Sequence, residues 1–350
     1  MANTASLVTG GSGFIGSHLV RQLLARGERV RILDVAEPPP SLGGAEYLKG
    51  SILDRDTVAR ALEDVHCVYH LAANPNLWSR RKNEFEDVNL GGTEIVLEQA
   101  ARANVERIVY CSTESTLKSP SHRPAAPLAD AEPGLTIENV PGPYCRSKFL
   151  AEQKALEAAK RGLPVVVVNP TLPVGPGDRF LTPPTRMLVL FLNGDTPAYL
   201  DFDFNMIDVR VAALGHILAA ERGRIGERYI LGGENLRLAT LLDMLEELSG
   251  LPMPQFRIPY WIAFAFAGVS ELVADRVTHR YPAAPVNGVR LARTPTVFDS
   301  SKAASKLGLP IHGIHQALAD AIAWLADNGH LKRTVRAPHA AFAERPSAVE

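Results

Sequence analysis

Cysteine is scarce in this chain, charge of either sign is not in excess, and long apolar runs are missing. Only three cysteines occur in 350 residues. Cys67, Cys111 and Cys145 have no metal-ligand spacing, cannot all pair, and fit a reducing compartment. The longest apolar run, Trp261 to Val269, is too short to span a bilayer. It reads as a buried lobe helix or an oligomer contact, with a lipid-facing entrance to a site as the other reading, and no stable membrane insertion is expected. The balance of 37 Lys+Arg against 38 Asp+Glu removes the electrostatic footprint of a nucleic-acid binder. Residues 1–9 carry no charged-then-apolar signal segment, so a cytoplasmic protein is expected. The histidines, among them His18, His66, His70, His122 and His216, are scattered without ligand spacing, and no metal is assigned.

What is present begins at residue 5. Ala5-Ser6-Leu7-Val8-Thr9 reads as a strand, Gly10-Gly11-Ser12-Gly13-Phe14-Ile15-Gly16 follows, and His18 to Leu24 has helical periodicity. Glycines 10, 13 and 16 at a strand-to-helix junction let the backbone turn tightly and approach a pyrophosphate on the helix N-terminus. The second strand, Arg29 to Leu33, ends at Asp34, where a dinucleotide fold places an acid on the ribose hydroxyls. A carboxylate there repels a 2′-phosphate, and Val35-Ala36-Glu37 supplies no arginine to bind one. NAD(H) is therefore expected rather than NADP(H).

Tyr144 and Lys148 are four apart on a predicted helix that runs to about Arg161, with Gly162 as its C-cap, so both lie on one face. A phenol is a poor base at neutral pH because its ordinary pKa is near ~10. A neighbouring ammonium is expected to lower it. Thr113, at the carboxyl end of the strand over 107–112, would hold a substrate oxygen against the phenol. Such a trio moves a proton on and off an alcohol while a hydride leaves or joins its carbon. Cys145, on another face of the same helix, reads as packing.

Strand-like and helix-like segments alternate through the first half, which predicts an α/β fold with a doubly wound parallel sheet. Residues 67–71 read as a strand, 87–102 as a helix, and Val165-Val166-Val167-Val168 as a fully buried strand. Prolines and glycines then crowd 173–184. The expected organisation is a dinucleotide-binding domain over 1–170 with a later return near 203–232. A substrate lobe over 171–202 and 233–330 and a mobile tail over 331–350 complete it.

Across nearly its whole length the chain resembles the extended short-chain dehydrogenase/reductase superfamily, of the NAD-dependent epimerase/dehydratase type. The resemblance rests on Thr9 to Gly16, His70-Leu71-Ala72-Ala73, Asn89-Leu90-Gly91-Gly92-Thr93, Ser112-Thr113, Tyr144-x-x-x-Lys148 and Asn169-Pro170, in that order. Arg146 to Gln153, Leu163 to Pro176, Phe191 to Gly194 and Glu221 to Leu236 are similar to the hopanoid-associated sugar epimerases, whose name does not itself establish a reaction. The resemblance implies a Rossmann-type sheet with a smaller, mostly helical C-terminal substrate lobe. It also implies roles. Tyr144 would be the acid/base, Lys148 would lower its pKa and hold the nicotinamide ribose, and Thr113 would position the substrate oxygen. Gly10, Gly13, Phe14, Ile15, Gly16 and Asp34 would bind the dinucleotide. Ser51 and Ile52 would lie near adenine, and Leu71, Ala72, Ala73 and Ser112 along the cofactor. Asn89 and Pro170 would make secondary contacts, Asn89 being equally readable as a backbone brace. A homodimer through two sheet-flanking helices is implied as well.

Two departures from the family pattern bear on the small-molecule substrate, for which Asn169, Phe204 and Asn205 are further candidate contacts. Nucleotide-sugar members usually carry an arginine just before the position of Asn205 to grip a diphosphate; here Phe204 stands there. A later Arg-x-Gly-Asp element is not recognisable before Asp299, and neither Arg290 nor Arg293 has its context. A buried diphosphate needs charge-assisted partners, so these changes point to a less anionic, more lipophilic substrate. Glu114 stands where sugar dehydratases place an acid, but Ser115 follows where a second acid is expected. It is either a second acid/base or a structural acid. Three functions are consistent with this: an epimerase-type oxidoreductase, acting on a sugar in the family's sense; a dehydrogenase or ketoreductase of a sterol-, triterpenoid- or phenylpropanoid-like alcohol or ketone; and a non-catalytic dinucleotide sensor. The joint presence of Tyr144, Lys148 and Thr113 disfavours the last.

Overall fold

Six short strands, most of them apolar, and a seventh much later in the chain assemble into one parallel sheet in the computed structural model, which describes residues 5–118, 135–294 and 297–335. The first half runs β1 (Ala5–Thr9), α1 (Phe14–Ala25), β2 (Val30–Asp34), β3 (Glu46–Lys49), α2 (Arg55–Ala61), β4 (Val65–His70), α3 (Gly92–Arg102), β5 (Arg107–Cys111), α4 (Gly142–Lys160) and β6 (Val165–Pro170). The chain continues through β7 (Leu172–Val174), α5 (Pro183–Leu192), β8 (Ala198–Tyr199), β9 (Asp203–Asp208), α6 (Val209–Arg222) and β10 (Arg228–Leu231). It ends with β11 (Glu234–Arg237), α7 (Leu238–Ser249), β12 (Phe256–Arg257), α8 (Tyr260–Val273), α9 (Val286–Leu291) and α10 (His315–Asp327).

The sheet order is β10-β6-β5-β4-β1-β2-β3, with every neighbouring pair parallel. This is the doubly wound α/β fold that the alternation predicted. Strand order reverses between β1 and β4, and the crevice beyond their carboxyl ends is where such sheets take ligands. Helices α1 and α6 cover one face, and α2, α3 and α4 the other. All six positions of β6 are buried, as a strand covered on both faces must be. The catalytic-helix candidate α4 turns Ala151, Ala155 and Ala158 to the sheet, and these small side chains let its backbone sit close.

A third core lies outside this sandwich, built from Leu188 and Phe191 of α5, Leu241 and Leu245 of α7, and Leu318 and Leu325 of α10. Here β7, β9 and β11 form a separate three-stranded sheet, and β8 pairs with β12. Residues 203–208 thus belong to the small sheet, and the chain returns to the large one only through α6 and β10. The segment expected as one helix over 87–102 divides into a π-turn, Glu86–Gly91, and α3. Gly92 at the junction admits Ile52, whose Cδ1 would lie 2.4 Å from a Cβ placed there.

The structure corrects two expectations. The Trp261–Val269 segment is not buried: α8 buries only Ala263 and Ala267, because most of its large side chains point the other way, into solvent. Residues 331–335 are anchored rather than mobile. Leu331 and Val335 pack on the third core, Lys332 N donates to Asn193 Oδ1, and the Lys332 ammonium pairs with Asp195. The remainder of the expected tail, 336–350, lies outside the described residues, as does His122. All three cysteines are free. Among the described residues no helix is long and apolar enough to cross a membrane, and no group of three or more His, Cys, Asp or Glu is placed to hold a metal.

Candidate active site

The glycine loop leaves β1 at Gly10, whose φ of 72° puts it in the left-handed region. A Cβ on Gly10 would sit 2.7 Å from Ala72 N, and one on Gly16 only 2.1 Å from Gly10 O. Neither position accepts a side chain. Helix α1 starts at Phe14 with no side-chain cap and no acid in its first turn, so its N-terminal dipole is left for an anion. Phe14 is buried and Ile15 half-buried at this end. Asp34 closes β2 beside the loop: its Oδ2 accepts from Ser12 N at 3.0 Å and its Oδ1 from Ala36 N at 3.0 Å. A tight cradle, an uncapped helix start and a fixed carboxylate at the next strand end fit a dinucleotide. Of the adenine candidates, Ser51 Oγ accepts from Leu53 N and Ile52 is buried in the core.

A buried chain of hydrogen bonds ties this loop to the helix of Tyr144. Leu71 N donates to Thr9 O, Ala72 N to Thr9 Oγ1, and Ala73 follows them. Thr9 Oγ1 lies 2.7 Å from His70 Nδ1, and His70 Nε2 lies 3.0 Å from Thr93 Oγ1, which donates to Asn89 O. Asn89 Nδ2 donates to Ser147 Oγ, and Ser147 Oγ donates to Tyr144 O. Burial, with Lys148 nearby, lowers His70 to about 3, so the imidazole is neutral, and these donors place its proton on Nε2. The Asn89 amide is occupied throughout, because Oδ1 also accepts from Asn74 N at 2.7 Å. Of its two readings, the brace is the one this geometry favours over a cofactor contact.

Tyr144 sits in the first turn of α4, with its ring edge-on to Phe85 at 6.4 Å. Burial raises its phenol above the ordinary value, and a hydrogen bond with Thr113 works against that rise. Lys148 Nζ donates to Cys111 O at 2.7 Å and lies 4.6 Å over the Tyr110 ring. Burial lowers its ammonium to about 8. The expected lowering of the phenol by Lys148 is therefore corrected for the protein by itself: burial raises the phenol, and the ammonium is turned to the end of β5. Thr113 Oγ1 accepts from Ser115 N at 3.3 Å.

One turn beyond Lys148, on the same helical face, lies Glu152, 1 % exposed. Its Oε2 accepts from Ser112 Oγ at 2.5 Å and lies 2.8 Å from both Thr116 Oγ1 and Asn169 Nδ2. Its Oε1 pairs with Arg228 at 2.8 Å. Asn169 Nδ2 also reaches Thr113 O at 3.0 Å. One carboxylate thus pins the Thr113 turn, the end of β6 and the edge strand β10 to α4. Sequence reasoning missed it, although the signal was available: Glu152 extends the Tyr144–Lys148 spacing by another four residues.

The other candidates fall in different places. Glu114 is buried and paired at 2.7 Å with Lys118, itself buried and 5.4 Å over Phe298; this geometry favours the structural acid. Phe204 and Asn205 are corrections. Phe204 is buried in the third core against Phe202, 5.4 Å between ring centroids. Asn205, on the opposite face of β9, accepts from Gly233 N and donates to Asn235 Oδ1, both at 2.9 Å. Both hold β9 in place. Ser112 and Asn169 turn their side chains to Glu152, and Pro170 ends β6 opposite Leu231. Arg293 and Arg290 lie 4.5 and 5.8 Å over the rings of Tyr260 and Phe264.

Comparison with known proteins agrees with this fold. The model of the NAD dependent epimerase/dehydratase family matches residues 6–194. A Synechocystis protein named for dihydroflavonol 4-reductase activity, an assignment its name marks as provisional, is 38% identical over 334 residues, covering 93% of this chain and 95% of its own. Sterol demethylase protein B of Methylococcus capsulatus is 33% identical over 338 residues, covering 93% and 99%. The crystal structure of gox2253 superposes with a TM-score of 0.81 at 35% identity, covering 94% and 99%.

Proposed function

The chain belongs to the NAD dependent epimerase/dehydratase family, and on that premise we propose that it is an NAD(H)-dependent dehydrogenase or ketoreductase of a lipophilic alcohol or ketone. It is an oxidoreductase of that family's type, with NAD as its cofactor. The observation that carries the narrower choice is on the substrate side. The residue standing where nucleotide-sugar members carry an arginine is a core phenylalanine, Phe204, and Arg290 and Arg293 lie over two separate aromatic rings. The names of the two relatives, one a flavonoid reductase and one a sterol protein, suit a lipophilic substrate.

Bound NAD supplies the acceptor or donor of hydride. The glycine loop and the start of α1 would hold the pyrophosphate, Asp34 the adenosine ribose, and Lys148 the nicotinamide ribose. Thr113 Oγ1 would hold the substrate oxygen, and Tyr144 would take or give its proton at the phenol oxygen. Proton transfer of this kind contributes about 10²–10⁴-fold to a rate. Glu152 would keep the Thr113 turn at its distance from Tyr144. The proposal takes residues 1–170 with the return through α6 and β10 as the cofactor-binding part. It also places the protein in the cytoplasm, which its three free thiols suit, as a homodimer through α3 and α4, measurable by sedimentation velocity.

The test is the NAD content of freshly purified protein and its exchange with added NAD(H). A protein that releases and rebinds the cofactor freely supports the proposal and directs the substrate screen to lipophilic alcohols and ketones. Near-stoichiometric NAD that survives gel filtration would replace it with an epimerase that keeps its cofactor through each cycle.

A further inference from the structure

Helix α8 and the π-turn that continues it, Ala274–Thr278, are built inside out. The residues facing the protein are small: Ala263, Ala267 and Ala274 are the buried ones. Those facing solvent are large. Trp261 is 70% exposed, Phe266 57%, Val269 62% and Leu272 56%, with Val273 and Val277 beside them. At 100° per residue they fall on one continuous side of the helix. Single exposed apolar residues are ordinary, but an unbroken apolar face marks an interaction site.

The segment is firmly held from behind. Asp275 accepts from Trp78 Nε1 at 2.8 Å, Glu271 accepts from Val286 N at 2.9 Å, and Lys82 pairs with both carboxylates. Those contacts engage both acids of the segment, and the remaining rim is basic. Arg276 and Arg280 are exposed at its C-terminal end. At the N-terminal end, Tyr260 and Phe264 stack at 5.7 Å beneath Arg293 and Arg290.

We propose that this face docks on an anionic lipid bilayer, lying in the plane of the interface with its apolar side chains at the acyl boundary and its arginines among headgroup phosphates. Charge complementarity selects the occupant. A second copy on a two-fold axis would bring like-charged rims together, whereas a bilayer carrying acidic lipid offers apolar depth and negative charge at the right levels. The helix is too short to cross, so it lies on the surface. Asn287 of α9 donates to Leu77 O at 3.2 Å and lies against Gly142 at the start of α4. Docking therefore brings the first turn of the catalytic helix near the bilayer, within reach of a substrate dissolved in it. Only that consequence rests on the lipophilic-substrate reading; the docking does not.

Co-sedimentation of the full chain with vesicles tests this. Vesicles of equal phosphatidylglycerol and phosphatidylcholine should carry the protein down at low salt, pure phosphatidylcholine should carry at least tenfold less, and molar salt should release it. The double variant Phe266→Glu/Val269→Glu, whose sites are exposed, should fold as the parent and lose binding at least tenfold. Absence of binding to the acidic vesicles, or equal binding by the double variant, overturns the proposal. So does self-association of the parent on gel filtration that the double variant abolishes, since a second copy would then cover the face. None of these readouts uses NAD or turnover, so failure here and failure of the proposed activity are distinguishable.

Discussion

Helices α4 and α8 both invert the usual rule, in opposite directions. Helix α4 buries Ser147, Lys148 and Glu152, groups that ordinarily face water. Helix α8 exposes Trp261, Phe266 and Val269, groups that ordinarily avoid it. The physical consequences differ. A buried charge must be paired, so every polar atom of α4 that enters the protein recruits a partner, and the result is a rigid network around Tyr144. An exposed apolar face recruits nothing inside the molecule, so its partner lies outside. The first inversion defines chemistry and the second defines a surface.

The most damaging way to break α4 is to remove its phenol oxygen. Tyr144→Phe should lower turnover by about 10²–10⁴, while NAD affinity, read by fluorescence titration, stays nearly unchanged. Retained activity would show that another group moves the proton. The next largest effect is Glu152→Ala. It leaves Ser112, Thr116 and Asn169 without their common acceptor and Arg228 without its partner, and should cost about 3–5 kcal/mol in urea unfolding. Glu152→Gln keeps the shape and one acceptor, so it should fold. If Glu152 positions the Thr113 turn, that variant should lower kcat more than it raises KM. If it is only a core polar group, both constants should stay at the parent values.

The contrast also explains what could be read in advance. The glycine loop, Asp34, Tyr144–Lys148 and the parallel sheet were legible because each is a local pattern: a turn, a strand end, a helical spacing, an alternation. Glu152 was not singled out, because its meaning comes from Ser112, Thr116, Asn169 and Arg228, seventeen to seventy-six residues away along the chain and joined only by the sheet order. Phe204 was misread for a related reason. Period-two alternation gives β9 two faces, and only the packing of α5 and α7 decides which one is core. For α8 the apolar content was plain, but a run apolar nearly all round does not reveal that the alanines alone would face inward.

Lys148 gives a smaller effect with a definite sign. Burial lowers its ammonium to about 8 in the folded protein, against about 10.4 in an unfolded chain. Between these values the unfolded chain binds more protons, so stability should rise with pH there and be flat, on this account, below about 8. The buried phenols of Tyr69, Tyr110 and Tyr144 are raised. They act in the opposite sense above about pH 10, where free tyrosine ionises, and the buried thiols of Cys67, Cys111 and Cys145, also raised, do so from about pH 8.5, so the Lys148 effect is read as the difference between parent and variant over pH 7.5–9.5. Across it the parent should gain about 1–2 kcal/mol relative to Lys148→Met in urea unfolding. An unchanged slope in the variant would assign the titration to another group.

The smallest effect sharpens the comparison most. Leu245 in α7 is fully buried in the third core, and truncating it carries the cost of any core cavity. Val269 and Phe266 in α8 are as apolar but are mostly in water, so in the free protein little packs against them to be lost. Phe266→Ser and Val269→Ser should each change unfolding free energy by no more than about 0.5 kcal/mol. If either costs as much as a core truncation, the face of α8 already packs within the molecule and the opposition between the two helices fails. If both are neutral, the large side chains on that face contribute nothing to folding, and whatever they contribute appears only when something outside the chain covers them.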